Sequence, residues 1–171
     1  MAHIGLGYLS YLADKPLEAL PQFNAAIRLE PNNHVGWGNL GDAHSQIPGR
    51  ADEAKEAFAT AIAACERKLA LSPNDPETLT YLASYQAKRG ERTQALQTLA
   101  RLPDAQIHDL NTRFTLALTH EVLGERGVAI QEFEKLLRDH LPVAQMRAEP
   151  FLKSLVGDAA FAPILQRYPP P

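Results

Sequence analysis

The stretch GWGNLGDAH, residues 36–44, decides how this chain folds. Its central pair, a leucine followed by a small residue, occurs four times at spacings of 34, 42 and 34 residues: Leu6-Gly7, Leu40-Gly41, Leu82-Ala83 and Leu116-Ala117. Self-similarity at a period of this length is typical of proteins built from stacked structural repeats. The sequence therefore predicts four related units.

A second landmark follows each leucine pair, with unchanging internal offsets of four and three residues. Its members are Ala19, Phe23 and Ala26; Ala54, Phe58 and Ala61; Ala95, Leu99 and Leu102; and Ala129, Phe133 and Leu136. Residues three and four apart lie on one face of a helix. Turn-forming residues separate the two landmarks in every unit. Each unit is therefore predicted to be a helix, a turn and a second helix.

These residues resemble the tetratricopeptide repeat, a family whose 34-residue pattern is W-x2-L-G-x2-Y, then A-x3-F, then P. The second unit carries the match in Trp37, Leu40, Gly41, Ala54, Phe58 and Ala61, with His44 where the family has tyrosine. The resemblance covers residues 2–142. It implies an all-α helical-repeat solenoid spanning 1–142, with units at about 1–33, 34–75, 76–109 and 110–142.

Two units depart from the regular length. The closing proline of the second unit, Pro73, comes twelve residues after Ala61, whereas the first unit needs five residues for the same step. Seven extra residues add about two helical turns. We therefore expect the outer helix of this unit to be elongated to some twenty residues, projecting past its neighbours. The third unit instead ends early, at Pro103.

The segment 143–168 carries two short apolar stretches, anchored by Phe151 with Leu155 and by Phe161 with Leu165. A stack of repeats leaves an apolar face at its end, which a cap has to cover. We expect capping helices here and a tail at 169–171. This ending and the elongated helix also resemble the repeat regions of bacterial signalling proteins: serine/threonine kinases, winged-helix regulators and nucleotide cyclases. That resemblance implies a regulatory or sensing region covalently linked to an upstream signalling domain.

The residues GWGNLG also fit the G-x-G-x-x-G pattern of a dinucleotide-binding turn. Such a turn needs a preceding strand and an acidic residue about twenty positions further on. The preceding AIRLEPNNHV reads as a helix end and a turn, and Ala61 stands twenty residues past Gly41. We therefore expect no cofactor. The glycines are interpreted as positions of close helix approach, except that Gly38 faces the groove and leaves room for a ligand backbone, while Trp37 fills the space between units.

The stretch DAHS, residues 42–45, combines the residue types of nucleophilic catalysis. Adjacent helical residues point about 100° apart, so these side chains cannot converge as a relay. His44 is interpreted as a buried histidine with satisfied hydrogen bonds, and the equivalent position of His120 favours a packing role for both. The single cysteine, Cys65, is interpreted as a buried, inert thiol, and no two histidines have metal-ligand spacing. We expect neither an enzyme nor a metal site.

Length and charge limit the classes of partner. The 171 residues favour one domain, and 17 Lys and Arg against 20 Asp and Glu give a net charge of −3, which disfavours nucleic acid. No stretch approaches the ~18 apolar residues of a membrane helix, and the first ten residues lack secretory-signal features. We therefore expect a soluble, cytoplasmic chain without membrane insertion.

The inner helices of stacked helical pairs line a concave surface that such proteins use for recognition. The resemblance places a peptide-binding groove at Tyr8, Tyr11, Val35, Gly38, Asp42, Ser45, Gln46, Glu77, Thr80, Ser84, Lys88, Asn111, Phe114, Leu118 and Glu121. Aromatic members would anchor a peptide and polar members would hydrogen-bond to it.

The basic and amide residues with which chaperone-tail binders of this family clamp a carboxylate are absent, since Ile4, Tyr8, Glu77 and Tyr81 stand in those places. The resemblance thus implies a noncatalytic scaffold for a protein or peptide. The alternative is a sensor that binds a metabolite in the groove or in a pocket beside the elongated helix.

Overall fold

The computed structural model describes residues 2–102, 107 and 109–168. Across these residues it contains eleven α-helices, one short 3-10 turn and no β-strand. They form two compact units: the first extends to Leu102, and the second comprises the described residues after it. None of the described helices combines the length and the apolar character that a membrane span requires. The predicted all-α repeat fold is confirmed.

The first unit consists of three helical pairs. Their bounds are α1 Ala2–Leu12, α2 Pro16–Leu29, α3 His34–Ser45, α4 Ala51–Leu71, α5 Pro76–Arg89 and α6 Arg92–Leu99. Each helix packs on the next one in the chain, and α3 also contacts α1. We call the first helix of each pair the inner helix and the second the outer helix.

The two landmarks of a repeat are the two sides of one contact. A Cβ at Gly7 would lie 2.5 Å from the ring of Phe23, and a Cβ at Gly41 would lie 2.6 Å from the ring of Phe58. Both phenylalanines are fully buried. In these two pairs the inner helix therefore has a glycine at the point where the outer helix of the same pair inserts its aromatic ring.

Polar side chains set the starts of two inner helices. Asn33 accepts hydrogen bonds from the backbone amides of Val35 and Gly36 at the start of α3, and Asp75 accepts one from Thr78 in α5. Such caps satisfy amide groups that have no partner within the helix. Gly90 follows the last residue of α5 and caps its C terminus. Its φ of 90° is a left-handed conformation that glycine adopts more readily than other residues.

The outer helix α4 has 21 residues, against 14 in α2 and eight in α6, which confirms the predicted elongation. The added turns pack on the first unit. Leu69 is buried in a cluster with α5, Arg67 donates to the side chain of Asn32 at 3.2 Å, and Lys68 pairs with Asp75 at 3.4 Å. We expected the added turns of α4 to project past their neighbours, but the structure shows that they contact neighbouring elements of the first unit. Pro103, the expected end of the third unit, lies outside the described residues.

The second unit contains the fourth helical pair and the segments that follow it. Its elements are α7 Leu110–Val122, α8 Arg126–Arg138, α9 Val143–Ala148, the 3-10 turn Pro150–Leu152, α10 Lys153–Val156 and α11 Ala162–Gln166. Leu155, Phe161 and Leu165 share one buried cluster with Phe133 and Leu136 of α8. The apolar segments after Pro142 therefore pack on the last repeat pair, and their role as a cap stays a prediction.

Candidate peptide-binding groove

The fifteen residues predicted to line a groove belong to the inner helices, apart from Gln46, which caps the C terminus of α3. Eleven of them lie in the first unit, on α1, α3 and α5, and four lie in the second unit, on α7. Within the first unit, three successive inner helices therefore carry the candidate residues.

Six of the fifteen are buried, namely Tyr11, Gly38, Thr80, Ser84, Phe114 and Leu118. Tyr11 stacks on Tyr8 with ring centroids 6.1 Å apart, and Phe114 meets Phe133 edge to face at 5.5 Å. Tyr11 lies three residues beyond Tyr8, which turns its side chain by about 60° around the helix and into the core. Two of the three expected aromatic anchors, Tyr11 and Phe114, are thus core residues.

The interpretation of Gly38 as room for a ligand is wrong, because Tyr85 of α5 occupies that space. A Cβ at Gly38 would overlap the Tyr85 ring. The same ring stacks on Phe58 at 6.3 Å, and its hydroxyl lies 3.4 Å from Nδ1 of His34. Gly38 allows α3 and α5 to approach each other, as Gly41 does for α3 and α4.

His34, the first residue of α3, is buried in an aromatic cluster. Its ring centroid lies 5.2 Å from that of Tyr81 and 6.1 Å from that of Tyr85. Burial, reinforced by the positive charge of Lys68, lowers the pKa of His34 to about 4. The imidazole is therefore neutral at physiological pH.

Asp42 and Lys88 form an ion pair that joins α3 to α5. The Lys88 Nζ lies 2.8 and 2.9 Å from the two carboxylate oxygens, and the side chains are 14% and 5% exposed. Burial raises the pKa of Asp42, and the ammonium group of Lys88 opposes this shift. These two predicted groove residues are bound to each other, so this part of the surface carries a neutral pair.

A second ion-pair cluster holds Glu121, another predicted groove residue. Arg126 binds Glu121, lies 2.9 Å from Asp158, and donates to the hydroxyl of Ser154 at 2.9 Å. The backbone amide of Ala160 and the guanidinium of Arg126 lower the pKa of Asp158. Through Arg126, Glu121 thus helps to hold the segment that contains Ser154 and Asp158 on the last helical pair. Arg126 was missed because it lies outside the repeat landmarks.

The remaining predicted groove residues are more accessible. Ser45, Glu77 and Asn111 are exposed, and Tyr8, Val35 and Gln46 are half-buried. Gln46 donates to the Ser45 hydroxyl at 3.2 Å, and Ser45 donates to the backbone carbonyl of Asp42 at 2.7 Å. Five of these six residues lie in the first unit and form the surface there that a partner can reach without breaking an ion pair, whereas Asn111 lies in the second unit.

The DAHS stretch forms no catalytic relay. Asp42 pairs with Lys88, Ser45 bonds to backbone, and Nδ1 of His44 is buried without a hydrogen-bond partner among the described residues. The expectation of a satisfied His44 is wrong, and burial lowers its pKa. His120 instead lies 2.8 Å from Glu125.

The thiol of Cys65 is buried, and burial raises its pKa to about 12. Its protonated form is a poor nucleophile and a poor metal ligand. The side chain packs in a cluster with Phe58 and Leu82. The interpretation of Cys65 as a packing residue agrees with this environment.

An open cavity of about 550 Å³ lies beside the elongated helix. Its lining residues are Glu30, Pro31, Asn32, Asn33, His34, Val35 and Lys68. The turn between α2 and α3 forms most of its wall, and Lys68 comes from the added turns of α4. Val35 is the one predicted groove residue among them.

Comparisons with known proteins find similarity along the helical pairs. The family model described as anaphase-promoting complex, cyclosome, subunit 3 matches residues 54–136, from α4 to α8. Superkiller protein 3 of Schizosaccharomyces pombe is 27% identical over 123 residues, which are 72% of this chain and 8% of that protein. The chain thus corresponds to a small fraction of the length of this relative.

Proposed function

Because the chain is a tetratricopeptide-repeat protein, we propose that it is a noncatalytic scaffold that binds a protein or a peptide. The observation that carries the proposal is that the candidate groove residues of the first unit recur at equivalent positions of successive inner helices. Tyr8 and Asp42 occupy equivalent positions 34 residues apart, and Val35 and Glu77 occupy equivalent positions 42 residues apart. Corresponding faces of adjacent inner helices thus present different side chains to a bound segment.

The chemistry of this surface favours an extended or helical peptide. Tyr8 and Val35 offer apolar contact, while Ser45, Gln46 and Glu77 offer hydrogen bonds. The Asp42–Lys88 pair is neutral and mostly buried. A partner that depends on a free carboxylate is therefore disfavoured, because Lys88 already binds a carboxylate of the chain.

We also propose a setting for this scaffold: the regulatory or sensing region of a larger bacterial signalling protein in the cytoplasm, covalently linked to an upstream domain. Support for this setting comes from the resemblance of the elongated α4 and of the capping segments to such regions. Purification of the parent protein from its native cells, with mass spectrometry of the intact chain, tests the linkage.

A metabolite sensor is the second candidate function, and the 550 Å³ cavity beside α4 favours it. Backbone and amide groups of Asn32 and Asn33 and the ammonium of Lys68 would supply polar contacts. A thermal-shift screen distinguishes this candidate, since metabolites that raise the melting temperature should lose that effect in a Lys68→Ala variant but not in a Lys55→Ala control.

Selection from a displayed peptide library tests the scaffold function directly. Peptides selected on the purified chain should bind the Tyr8→Ala/Val35→Ala/Glu77→Ala variant at least about tenfold more weakly, because the three side chains supply accessible contacts on three successive inner helices. A Leu17→Ala/Leu29→Ala variant of α2 is the matched control and should bind unchanged. Equal affinity for both variants would exclude this surface as the peptide site.

A further inference from the structure

Glu77 of α5 is exposed, and its carboxylate forms no ion pair or hydrogen bond with another residue that the structure describes. The inner helices α1, α3 and α5 carry four Asp, Glu, Lys or Arg side chains, namely Asp42, Glu77, Lys88 and Arg89. Asp42 pairs with Lys88, and Arg89 pairs with Glu91. Among these four side chains, only Glu77 therefore presents an uncompensated charge to a bound segment.

The other charged groups at the start of α5 compensate each other. Lys68 lies 3.4 Å from the carboxylate of Asp75, the residue that caps α5. His34, which packs on the α5 tyrosines, is neutral at physiological pH because burial lowers its pKa to about 4. The helix dipole favours an acidic residue in the first turn, where Glu77 lies. The Glu77 carboxylate thus stays available to a cation that the chain itself does not supply.

An aromatic ring lies beside this carboxylate on α5. Tyr81 follows Glu77 by four residues, and side chains at this spacing are neighbours on a helix. Contacts with the rings of Tyr85 at 6.0 Å and His34 at 5.2 Å hold the Tyr81 ring in place, while the side chain is only half-buried. A carboxylate next to an aromatic ring suits a guanidinium group, which pairs with the first and stacks on the second.

An apolar contact is within reach of the same segment. Val35 of α3 occupies the position equivalent to Glu77 and is half-buried. Helices α3 and α5 are neighbours, as the ion pair between Asp42 and Lys88 shows. Packed helices have axes about 8–10 Å apart, and an extended peptide advances about 3.3 Å per residue. Side chains about two or three positions apart in one peptide therefore reach both Val35 and Glu77.

We propose that Glu77 and Tyr81 form a subsite for a basic side chain, with arginine favoured, of the peptide that binds the first unit. Val35 contacts an apolar side chain of the same peptide. This inference rests on the proposed scaffold function and adds the charge of the partner to it. The bound segment is basic, because charge complementarity with the exposed carboxylate selects a cation.

Peptides selected from a random displayed library on the wild-type chain are the probes, and they should be enriched in Arg or Lys. In fluorescence anisotropy at low ionic strength, the labelled synthetic peptides should bind a Glu77→Gln variant about two- to fivefold more weakly, because one charge pair is lost. Added salt should weaken binding to the wild type more than binding to this variant.

Glu53→Gln is the matched control. It removes an exposed acidic side chain from the first turn of the outer helix α4, which carries no residue of the peptide surface, so peptide binding should stay unchanged. Circular dichroism checks that all variants are folded.

A charge exchange separates recognition from a general effect of substitution. Glu77→Arg should weaken binding of the basic peptides by at least about tenfold, because like charges then face each other. Replacement of the basic peptide residue by Glu should restore binding to this variant and weaken binding to the wild type.

Two results would overturn the inference, and they differ in what they leave standing. Peptides that bind Glu77→Gln as tightly as the wild type, yet lose affinity for a Tyr8→Ala/Val35→Ala variant, would leave the scaffold function in place and remove Glu77 from it. If no selected peptide responds to either variant, the peptide surface and its basic subsite are both wrong.

Discussion

The ring of Phe58 lies directly over Gly41, so that a Cβ at this position would be 2.6 Å from Cε1 and 2.7 Å from Cδ1. Non-bonded carbon atoms are most favourably separated by about 3.5–4.0 Å. The glycine is therefore required by the outer helix, although it costs helix propensity within α3. In this repeat, the leucine-glycine landmark and the alanine-phenylalanine landmark of the sequence are therefore the two sides of one contact between the helices of a pair.

The first prediction concerns Gly41→Ala. The added methyl group must displace the Phe58 ring, which is fully buried. Overpacking of this kind costs about 1–3 kcal/mol. Urea denaturation followed by circular dichroism should show a loss of that size in the free energy of unfolding, despite the better helix propensity of alanine.

Gly5→Ala is the matched control, because nothing lies within 4 Å of a Cβ at Gly5 in α1. The same exchange should stabilise the chain there by up to about 1 kcal/mol. Equal effects of the two exchanges would contradict the packing role of Gly41.

Much of the fold is readable from the sequence because its contacts are local and periodic. Leu40, Gly41 and Phe58 lie within one repeat, so one pattern specifies both helices and the contact between them. The length of α4 is likewise set by the late arrival of Pro73. These features need no knowledge of how distant parts of the chain meet.

The groove was harder to predict because its accessibility depends on contacts between repeats. Tyr85 fills the space at Gly38, and Lys88 pairs with Asp42, although more than forty residues separate each pair. The family pattern assigns a face to each position but does not say which neighbouring side chain covers it. The sequence does offer one indication: α5 has the large residue Tyr85 where α3 has Ala43, and a side chain of that size can fill the space beside a glycine of the neighbouring inner helix.

The second prediction concerns Lys88→Met. This exchange leaves the buried carboxylate of Asp42 without its cation. Breaking a buried pair from one side typically costs about 3–5 kcal/mol. Chemical denaturation at pH 7 should show a loss in this range.

Replacing both partners, as in Asp42→Leu/Lys88→Met, should recover most of that stability, because no uncompensated charge remains. The exposed Lys55 provides the surface control: Lys55→Met removes a pairing with Asp52 and should change stability by less than about 0.5 kcal/mol. A double variant as unstable as Lys88→Met would show that the charge itself is not the cause.

The third prediction concerns pH and His34. Its pKa is about 4 in the folded chain, against 6.5 for the free side chain. Between these values the unfolded chain binds a proton that the folded chain does not, so the free energy of unfolding falls as the pH falls from 6.5 to 4. The neutral His34 therefore contributes fully to the free energy of unfolding above pH 6.5. This contribution is lost as the pH falls to 4, and the loss amounts to about 3 kcal/mol.

A His34→Gln variant lacks this titration and should lose about 3 kcal/mol less than the wild type between pH 7 and pH 4. Denaturation series at several pH values measure the difference, and NMR of the imidazole protons gives the midpoint directly. Parallel stability curves, or a midpoint near 6.5, would show that the aromatic cluster does not exclude the charged imidazole.

The last prediction concerns the added turns of α4. Leu69 is buried in a cluster with Leu79 and Leu82 of α5, whereas Leu71, two residues further on, is 88% exposed. Leu69→Ala removes apolar contact and leaves a cavity, which should cost about 2–5 kcal/mol. Leu71→Ala is the same exchange on the same helix and should stay within about 0.5 kcal/mol of the wild type. Hydrogen exchange should also show weaker protection of the amides at the C-terminal end of α4 in the Leu69 variant only. If both variants behave like the wild type, the extension is peripheral, and the cavity that Lys68 borders has no fixed wall on that side.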